Sequence, residues 1–443
     1  LLAGAVDTAW ASSTLSFGPL ATRTSSPSWL AAHPSLDVVY AAHEGAGTVA
    51  AYRRSDVLRL LPSGRPRAVG DSPCHSAVAP GGTFVVVTCY GDGRVVRVAL
   101  REDGALGGAI VVTDDEIRDP HAAEEGTDQD FFSVAGVRDL RELAAALAES
   151  AGLDRDEREP RDEDEELDAA TAASIARALD PDAVLDAAGN AEPVEAAPVR
   201  ASHAHATAFL PDGRIATTDL GFDAVRIWRP GPNTLRPDHV VALPFGSGPR
   251  HMVVHPSGHL HVVTEYSCEV FTLAAGPDGR WAVVAGAVVS PDAAAGFDFP
   301  SELSSDREGG FLYAGVRGSN AIATLRVRGS GERVEPIAMV ESGGDWPRHH
   351  LVDHDTVLVA NQLSGDIASL LIDDARETVI SGRSPVFDGE AAPSAAIVRG
   401  LVVHKLLQIL PGLSEESREP AALRYLERAA SGWSLAERDA VWA

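Results

Sequence analysis

Residues 210–228 read LPDGRIATTDLGFDAVRIW and residues 255–273 read HPSGHLHVVTEYSCEVFTL. In each, a polar turn carrying Pro and Gly opens onto two apolar or alternating runs, the pattern of paired strands joined by a tight connection. The same unit starts at His33, Ala79, Ser304 and near Val352, so that successive starts lie 46, 131, 45, 49 and 48 residues apart. All five gaps reduce to one period if the long one carries about 85 inserted residues, and a period in the forties with paired strands marks the blades of a β-propeller.

Six complete units leave a spare apolar strand at each end, LLAGAV at 1–6 and SAAIV at 394–398. Seven blades are therefore expected, with those two strands sharing the closing sheet so that no edge is left open for aggregation. The predicted organisation is all-β: a seven-bladed β-propeller over residues 1–112 and 200–400, interrupted by an acidic insertion at 113–199 and followed by a short helical tail at 401–443. The insertion reads as helical or disordered, since Leu140, Leu143 and Leu147, and again Leu167, Ile175 and Leu179, fall on helical stripes either side of the charge run DRDEREPRDEDEEL. In the tail, Ser434 and Glu437 fit a capping box.

Composition narrows the class of protein. Apolar residues make up 45% and charged residues 23%, and no apolar run is long enough to span a bilayer. The start LLAGAVDTAWA reads as a propeller strand rather than as the end of a signal peptide, because no basic segment precedes it. The net charge of −27 is local: residues 113–200 hold 26 Asp/Glu against 8 Arg, which accounts for −18 of it. A chain with this balance is not expected to bind nucleic acid. Cys74, Cys89 and Cys268 are odd in number and lack metal-ligand spacing, and read as buried thiols of a cytoplasmic protein.

The polar residues that a structural blade would not need lie between 201 and 362. His203 and His205 in SHAHA share one face of an extended segment. Arg250 and His251 follow in GSGPRH, Glu265 ends the next apolar run, Arg317 ends another, and WPRHH through ANQ supplies Trp346, Arg348, Asn361 and Gln362. Asp219 and Asp223 read as turn or inter-blade anchors, and His255, His259 and His261 as surface or packing residues, with His251 set apart because it adjoins Arg250.

Four of these segments, in this order, resemble the lactonase family of seven-bladed propellers, which includes propeller-type 6-phosphogluconolactonase and carboxymuconate cyclase. They are HxH…PDG…DLGxDxV at 203–225, GPRHxxxHPxG…E at 248–265, RGSN after Val316, and WPR…ANQ at 346–362. The resemblance implies catalytic roles for one of His203 and His205 and for Arg250, Glu265 and Arg317. Beside them, His251, Arg348 and Asn361 are read from their place in the sequence as substrate-binding candidates. It also implies an anionic sugar lactone as the small-molecule substrate, 6-phosphogluconolactone first among them. Hydrolysis by these side chains requires neither cofactor nor metal, with metal binding by the HxH pair as the alternative. The sequence departs from the family in its long acidic insertion and in APVRAS just ahead of the HxH pair.

The chemistry of these side chains fits lactone hydrolysis. The reaction needs a base for water, a cationic environment for the oxyanion and an anchor for a carboxylate or phosphate. Glu265 or a histidine of the pair can serve as base, and Arg250 and Arg317 offer planar forks for anions. Two other readings stand beside it: a cycloisomerase using the same arginines, and a non-catalytic scaffold whose polar cluster is structural. Convergence of the named residues on one pocket separates the enzymes from the scaffold.

Overall fold

The computed structural model describes residues 2–6, 15–24, 26–56, 59–112, 117–122, 200–373, 378–380 and 385–388. The chain divides into one unit of residues 1–120 and 200–443 and another of 121–199, and every element described here belongs to the first.

That unit is an all-β propeller. Six antiparallel sheets follow one another along the chain, each running from an inner strand outward in sequence order. The inner strands are Pro27–Ala32, Pro73–Val78, Ala204–Phe209, Pro249–Val254, Phe299–Ser305 and Pro347–Asp353. They head blades 1 to 6, and each of the first five adjoins the inner strand of the next blade.

The second strand of each blade shows why the sheets stack. Phe84–Cys89 is buried along its whole length, and its alternate side chains enter different cores. Val85 and Val87 pack with Tyr40, Val49 and Ala51 of blade 1, whereas Phe84 and Val86 pack with Ile215 and Trp228 of blade 3. Blade 3 repeats this with Ile215 and Ala216, blade 4 with Val262 and Val263, and blade 5 with Leu312 and Tyr313. A strand covered on both faces has no solvent-facing positions, which is why FVVVTC does not alternate, and its polar Thr88 is satisfied by donating from Oγ1 to His205 O at 2.6 Å. Each fully buried valine of this kind contributes about 1.5–3 kcal/mol. Outer strands have one covered face, and along Trp281–Val288 burial alternates residue by residue.

Leu2–Val6 pairs antiparallel with the nearby Leu15–Leu20. Pairing with a neighbour in sequence closes a far shorter loop than joining the two ends of the chain, so less entropy is lost. The strand expected at 394–398, the helical stripes of the insertion and the helical tail lie outside the described residues.

Blade 2 ends with Leu106–Val111 and blade 3 begins at Ala204, so residues 123–199 enter between two complete blades. Replacing 123–199 by a short Gly/Ser linker is expected to leave a propeller that melts in one cooperative transition. A lost or broadened transition in calorimetry would show that this segment carries part of the propeller's stability.

Candidate active site

The six inner strands share a local irregularity that builds the site. Five carry a Pro at the same place, giving Ser26-Pro27-Ser28-Trp29, Ser72-Pro73-Cys74-His75, Gly248-Pro249-Arg250-His251, Phe299-Pro300-Ser301-Glu302 and Trp346-Pro347-Arg348-His349. Blade 3 has Ser202-His203-Ala204-His205. A Pro is tolerated there because the innermost strand is an edge. In all six strands the pairing register shifts across these residues. Such a bulge re-aims side chains, so two consecutive residues can both turn toward the channel instead of to opposite faces.

The first residue of each such pair often ties one blade to the next. Ser28 Oγ donates to Pro73 O at 2.7 Å and Ser301 Oγ to Pro347 O at 2.6 Å. In blades 4 and 6 this place is held by Arg250 and Arg348, which line a cavity of about 210 Å³. The second residues of five blades, Trp29, His205, His251, Glu302 and His349, line it as well. Trp29 packs on His75 at 4.2 Å, on His349 at 5.1 Å and on His251 at 5.3 Å between ring centres. His205 lies 5.1 Å from His251.

Behind the cavity stands a clamp of three charges. Glu265 Oε2 is 2.9 Å from Arg250 Nε and 2.9 Å from Arg317 Nη2. Arg317 is further fixed by donating from Nε to Phe299 O at 2.9 Å, and it lies over the Trp346 ring at 5.4 Å. Burial, and next to it the charge of Arg317, pulls Arg250 down to about 10, so Arg250 stays cationic at neutral pH. Its Nη1 is buried without a hydrogen-bond partner, as is Nδ1 of His205.

Two features hold this cluster in place. Asp223, 2% exposed, accepts hydrogen bonds from Gly246 N at 2.8 Å and Gly248 N at 2.7 Å, fixing the loop that delivers Arg250 and His251. Gly248 adopts φ +65°, and a Cβ there would sit 2.5 Å from the Tyr266 ring, so only glycine fits. Trp346 takes φ 67° just before the cavity's Arg348, with its N–H held by Asn320 Oδ1 at 2.9 Å. Strain of this kind concentrates at functional sites.

The residues singled out in the sequence divide as follows. His205, Arg250, His251, Arg348 and Asn361 line the cavity. Glu265 and Arg317 join it through Arg250. His203 does not line it: it precedes the inner strand, stacks on Tyr90 at 4.6 Å and bonds Tyr90 O through Nδ1 at 2.7 Å. Asp219 is an anchor, taking Ser202 Oγ at 2.7 Å and Arg226 Nη2 at 2.9 Å. His261 is a core residue bonded to Thr272 Oγ1 at 3.0 Å. Trp29, His75, Glu302 and His349 were missed, although aligning the six segments around the shared Pro puts all four in one column. Cys74 also lines the cavity, but burial pushes its thiol up to about 12 and leaves it a poor nucleophile. Among the described residues no group of three or more His, Cys, Asp or Glu is arranged to hold a metal ion.

A series of four- and five-stranded blades with a polar cavity on its channel places the molecule among β-propellers that carry a site where inner strands converge. Residues 6–130 and 172–383 match the family model for lactonase, 7-bladed β-propeller, and the chain belongs to that family. An uncharacterised protein of Staphylococcus saprophyticus is 29% identical over 205 residues, covering 45% of this chain and 58% of that one. One of Lactococcus lactis subsp. lactis is 28% identical over 183 residues, covering 40% and 54%. The chain thus spans little more than half the length of the curated relatives it matches. Among solved structures, the periplasmic gluconolactonase of Pseudomonas aeruginosa superposes with a TM-score of 0.60 at 20% identity over 88% of this chain and 97% of that one. A Bacteroides uniformis protein provisionally described as a 6-phosphogluconolactonase gives 0.56 at 19% over 83% and 88%. At these identities the likeness is one of fold.

Proposed function

We propose that this protein hydrolyses a small anionic lactone in the channel cavity, with 6-phosphogluconolactone the favoured substrate. The observation that carries the reading is a pair of buried groups on one cavity, each without a partner: the cationic donor Arg250 Nη1 and the nitrogen Nδ1 of His205. A donor for an oxyanion and an acceptor for a proton are what ester opening requires. The cavity, about 210 Å³, has room for a single ring compound. Membership of the lactonase family and the gluconolactonase named among its structural neighbours support the same class of chemistry.

In this reading water attacks the lactone carbonyl while a basic group of the site takes its proton, Arg250 holds the oxyanion, and the ring oxygen leaves as it is protonated. His205 and Glu265 are the proton-transfer residues that the family resemblance carries over. Arg317 keeps Arg250 and Glu265 in register, and Arg348, at the cavity wall beside Gln362, anchors the substrate's phosphate or carboxylate. The Leu2–Val6 and Leu15–Leu20 hairpin fits a seventh, closing blade, since its second strand lies beside Pro385–Asp388 of blade 6. The buried, unpaired Cys74, Cys89 and Cys268 agree with work in the cytoplasm.

A hydrolysis panel of 6-phosphogluconolactone, gluconolactone and muconolactone, run with and without chelator, tests the reading. Turnover of the phosphorylated lactone is expected, and Arg348→Ala should raise its KM by about tenfold or more, the scale of a lost charge-assisted hydrogen bond, while leaving gluconolactone little affected. Lactone formation from an unsaturated acid without net hydrolysis would favour the cycloisomerase, and inertness toward every lactone would leave the scaffold.

A further inference from the structure

The cavity holds a second carboxylate centre that none of the family segments includes. Glu302, from the inner strand of blade 5, places Oε2 3.1 Å from His251 Nδ1 of blade 4 and 2.5 Å from His349 Nδ1 of blade 6. Glu302 and His251 are almost wholly buried, whereas His349 is about half exposed. All three line the cavity.

The groups first credited with proton transfer are less well placed to act as base. Glu265 Oε2 is already shared by two guanidinium groups. Nδ1 of His205 is buried without a hydrogen-bond partner, so no carboxylate orients the ring from that side. His251 is different, because its Nδ1 faces a carboxylate and its Nε2 is thereby left for the cavity. The arrangement is that of an imidazole held in one tautomer by an acidic neighbour.

We propose that His251, positioned by Glu302, is the base that takes the proton from the attacking water. This rests on the hydrolysis reading above and assigns its base. As the new C–O bond forms at the lactone carbonyl, one water proton passes to His251 Nε2, and the electron pair of the C=O bond moves onto the oxygen beside Arg250. When the ring C–O bond breaks, the same Nε2 returns the proton to the leaving oxygen, and the product is the open hydroxy acid.

The protonation states agree with this. Burial, above all, holds His251 below its ordinary range, although Glu302 pulls the other way; Arg250 and His349 add to the lowering. His251 is therefore neutral at neutral pH, with a lone pair to offer. Burial raises Glu302, yet its contacts with His251 and His349 outweigh that and keep it ionised. The titratable groups facing His251 are Glu302 and His349 at the carboxylate, with Arg250, His75 and His205 around the ring.

The test is kinetic, on the full chain, with 6-phosphogluconolactone. Glu302→Gln keeps the shape and an acceptor but removes the charge, and kcat should fall about 100-fold or more with KM changed little. The acid limb of the kcat/KM profile should move to lower pH, because the carboxylate that favours the imidazolium is gone. Glu302→Asp should recover part of the loss. If Glu302→Gln fails to fold, His251→Gly with added imidazole replaces it, and imidazole-dependent recovery of turnover is expected. Parental kcat with an unmoved acid limb in Glu302→Gln, or no recovery by imidazole, would overturn the assignment of the base while leaving hydrolysis intact. A parent protein that opens no lactone would overturn the function itself and the dyad with it.

Discussion

Acidification from pH 6.5 to pH 4 should cost this protein several kcal/mol of stability through its buried histidines alone. Burial lowers seven histidines in the folded state: His75, His205 and His251 at the channel, His350 beside them, His261 in the core of blade 4, and His43 and His239 elsewhere in the blades. For His350 and His261 the fall is from 6.5 to about 4. An imidazole that stays neutral when folded but protonates when unfolded makes the unfolded chain the better proton binder at mildly acidic pH. Its contribution is complete above 6.5 and is lost as the pH falls toward the folded value. At 1.36 kcal/mol per pKa unit, His350 and His261 would each account for about 3 kcal/mol. Glu302, held low by its two histidines, extends the loss below pH 4.5. Denaturant midpoints at pH 7, 6, 5 and 4 measure the effect. His261→Gln, remote from the cavity, should flatten the slope by one proton. A stability that stays level from pH 6.5 to 4.5 would mean that these imidazoles find water or a counter-charge in solution.

The fold was legible because blade stacking forces a repeating pattern on the chain. A second strand covered on both faces has no solvent-facing positions and is mostly apolar, and the turn before it must reverse the chain, so each blade writes the same signature at nearly the same interval. Closure was less legible: an apolar hexapeptide such as LLAGAV does not say whether it pairs with residue 15 or residue 394. The site was half legible. Arg250, Glu265 and Arg317 stand out as charges next to apolar runs, whereas Glu302 in FPSEL and His75 in SPCHS sit in segments that look like ordinary strand starts. The period-2 rule also misleads here. It places His203 and His205 on one face, but the strand begins at Ala204, so His203 remains outside it against Tyr90. Conversely the bulge brings Arg250 and His251, neighbours in sequence, to one cavity. Aligning blades to one another is what recovers these positions, because the bulge and its Pro recur where the identity of the channel residue does not.

Breaking the clamp at Arg317 should be the most damaging single change to activity. Arg317→Ala removes one of two cations from Glu265 and strips the donor from Phe299 O, in a place where Arg317 is only 6% exposed. Removing one partner of a buried ion pair typically costs about 3–5 kcal/mol, and Arg250, still paired to Glu265, should hold the loss near the lower end. The kinetic loss should exceed what that instability explains: kcat/KM is expected to fall about 100-fold or more, because Arg250 loses the support that aims its unpartnered Nη1 at the developing oxyanion. Arg317→Lys should recover much of the stability and little of the activity, since an ammonium can pair with Glu265 but cannot also span Phe299 O as a planar fork does. Glu265→Gln tests the same clamp from its centre: two guanidinium groups would face each other across a neutral amide, so both melting temperature and turnover should drop, and pairing it with Arg317→Ala in a double-mutant cycle should show strong non-additivity. Folded Arg317→Ala protein that opens the lactone at the parental rate would reduce the Arg250–Glu265–Arg317 cluster to a strut between blades 4 and 5, and the catalytic roles carried over to it would fall.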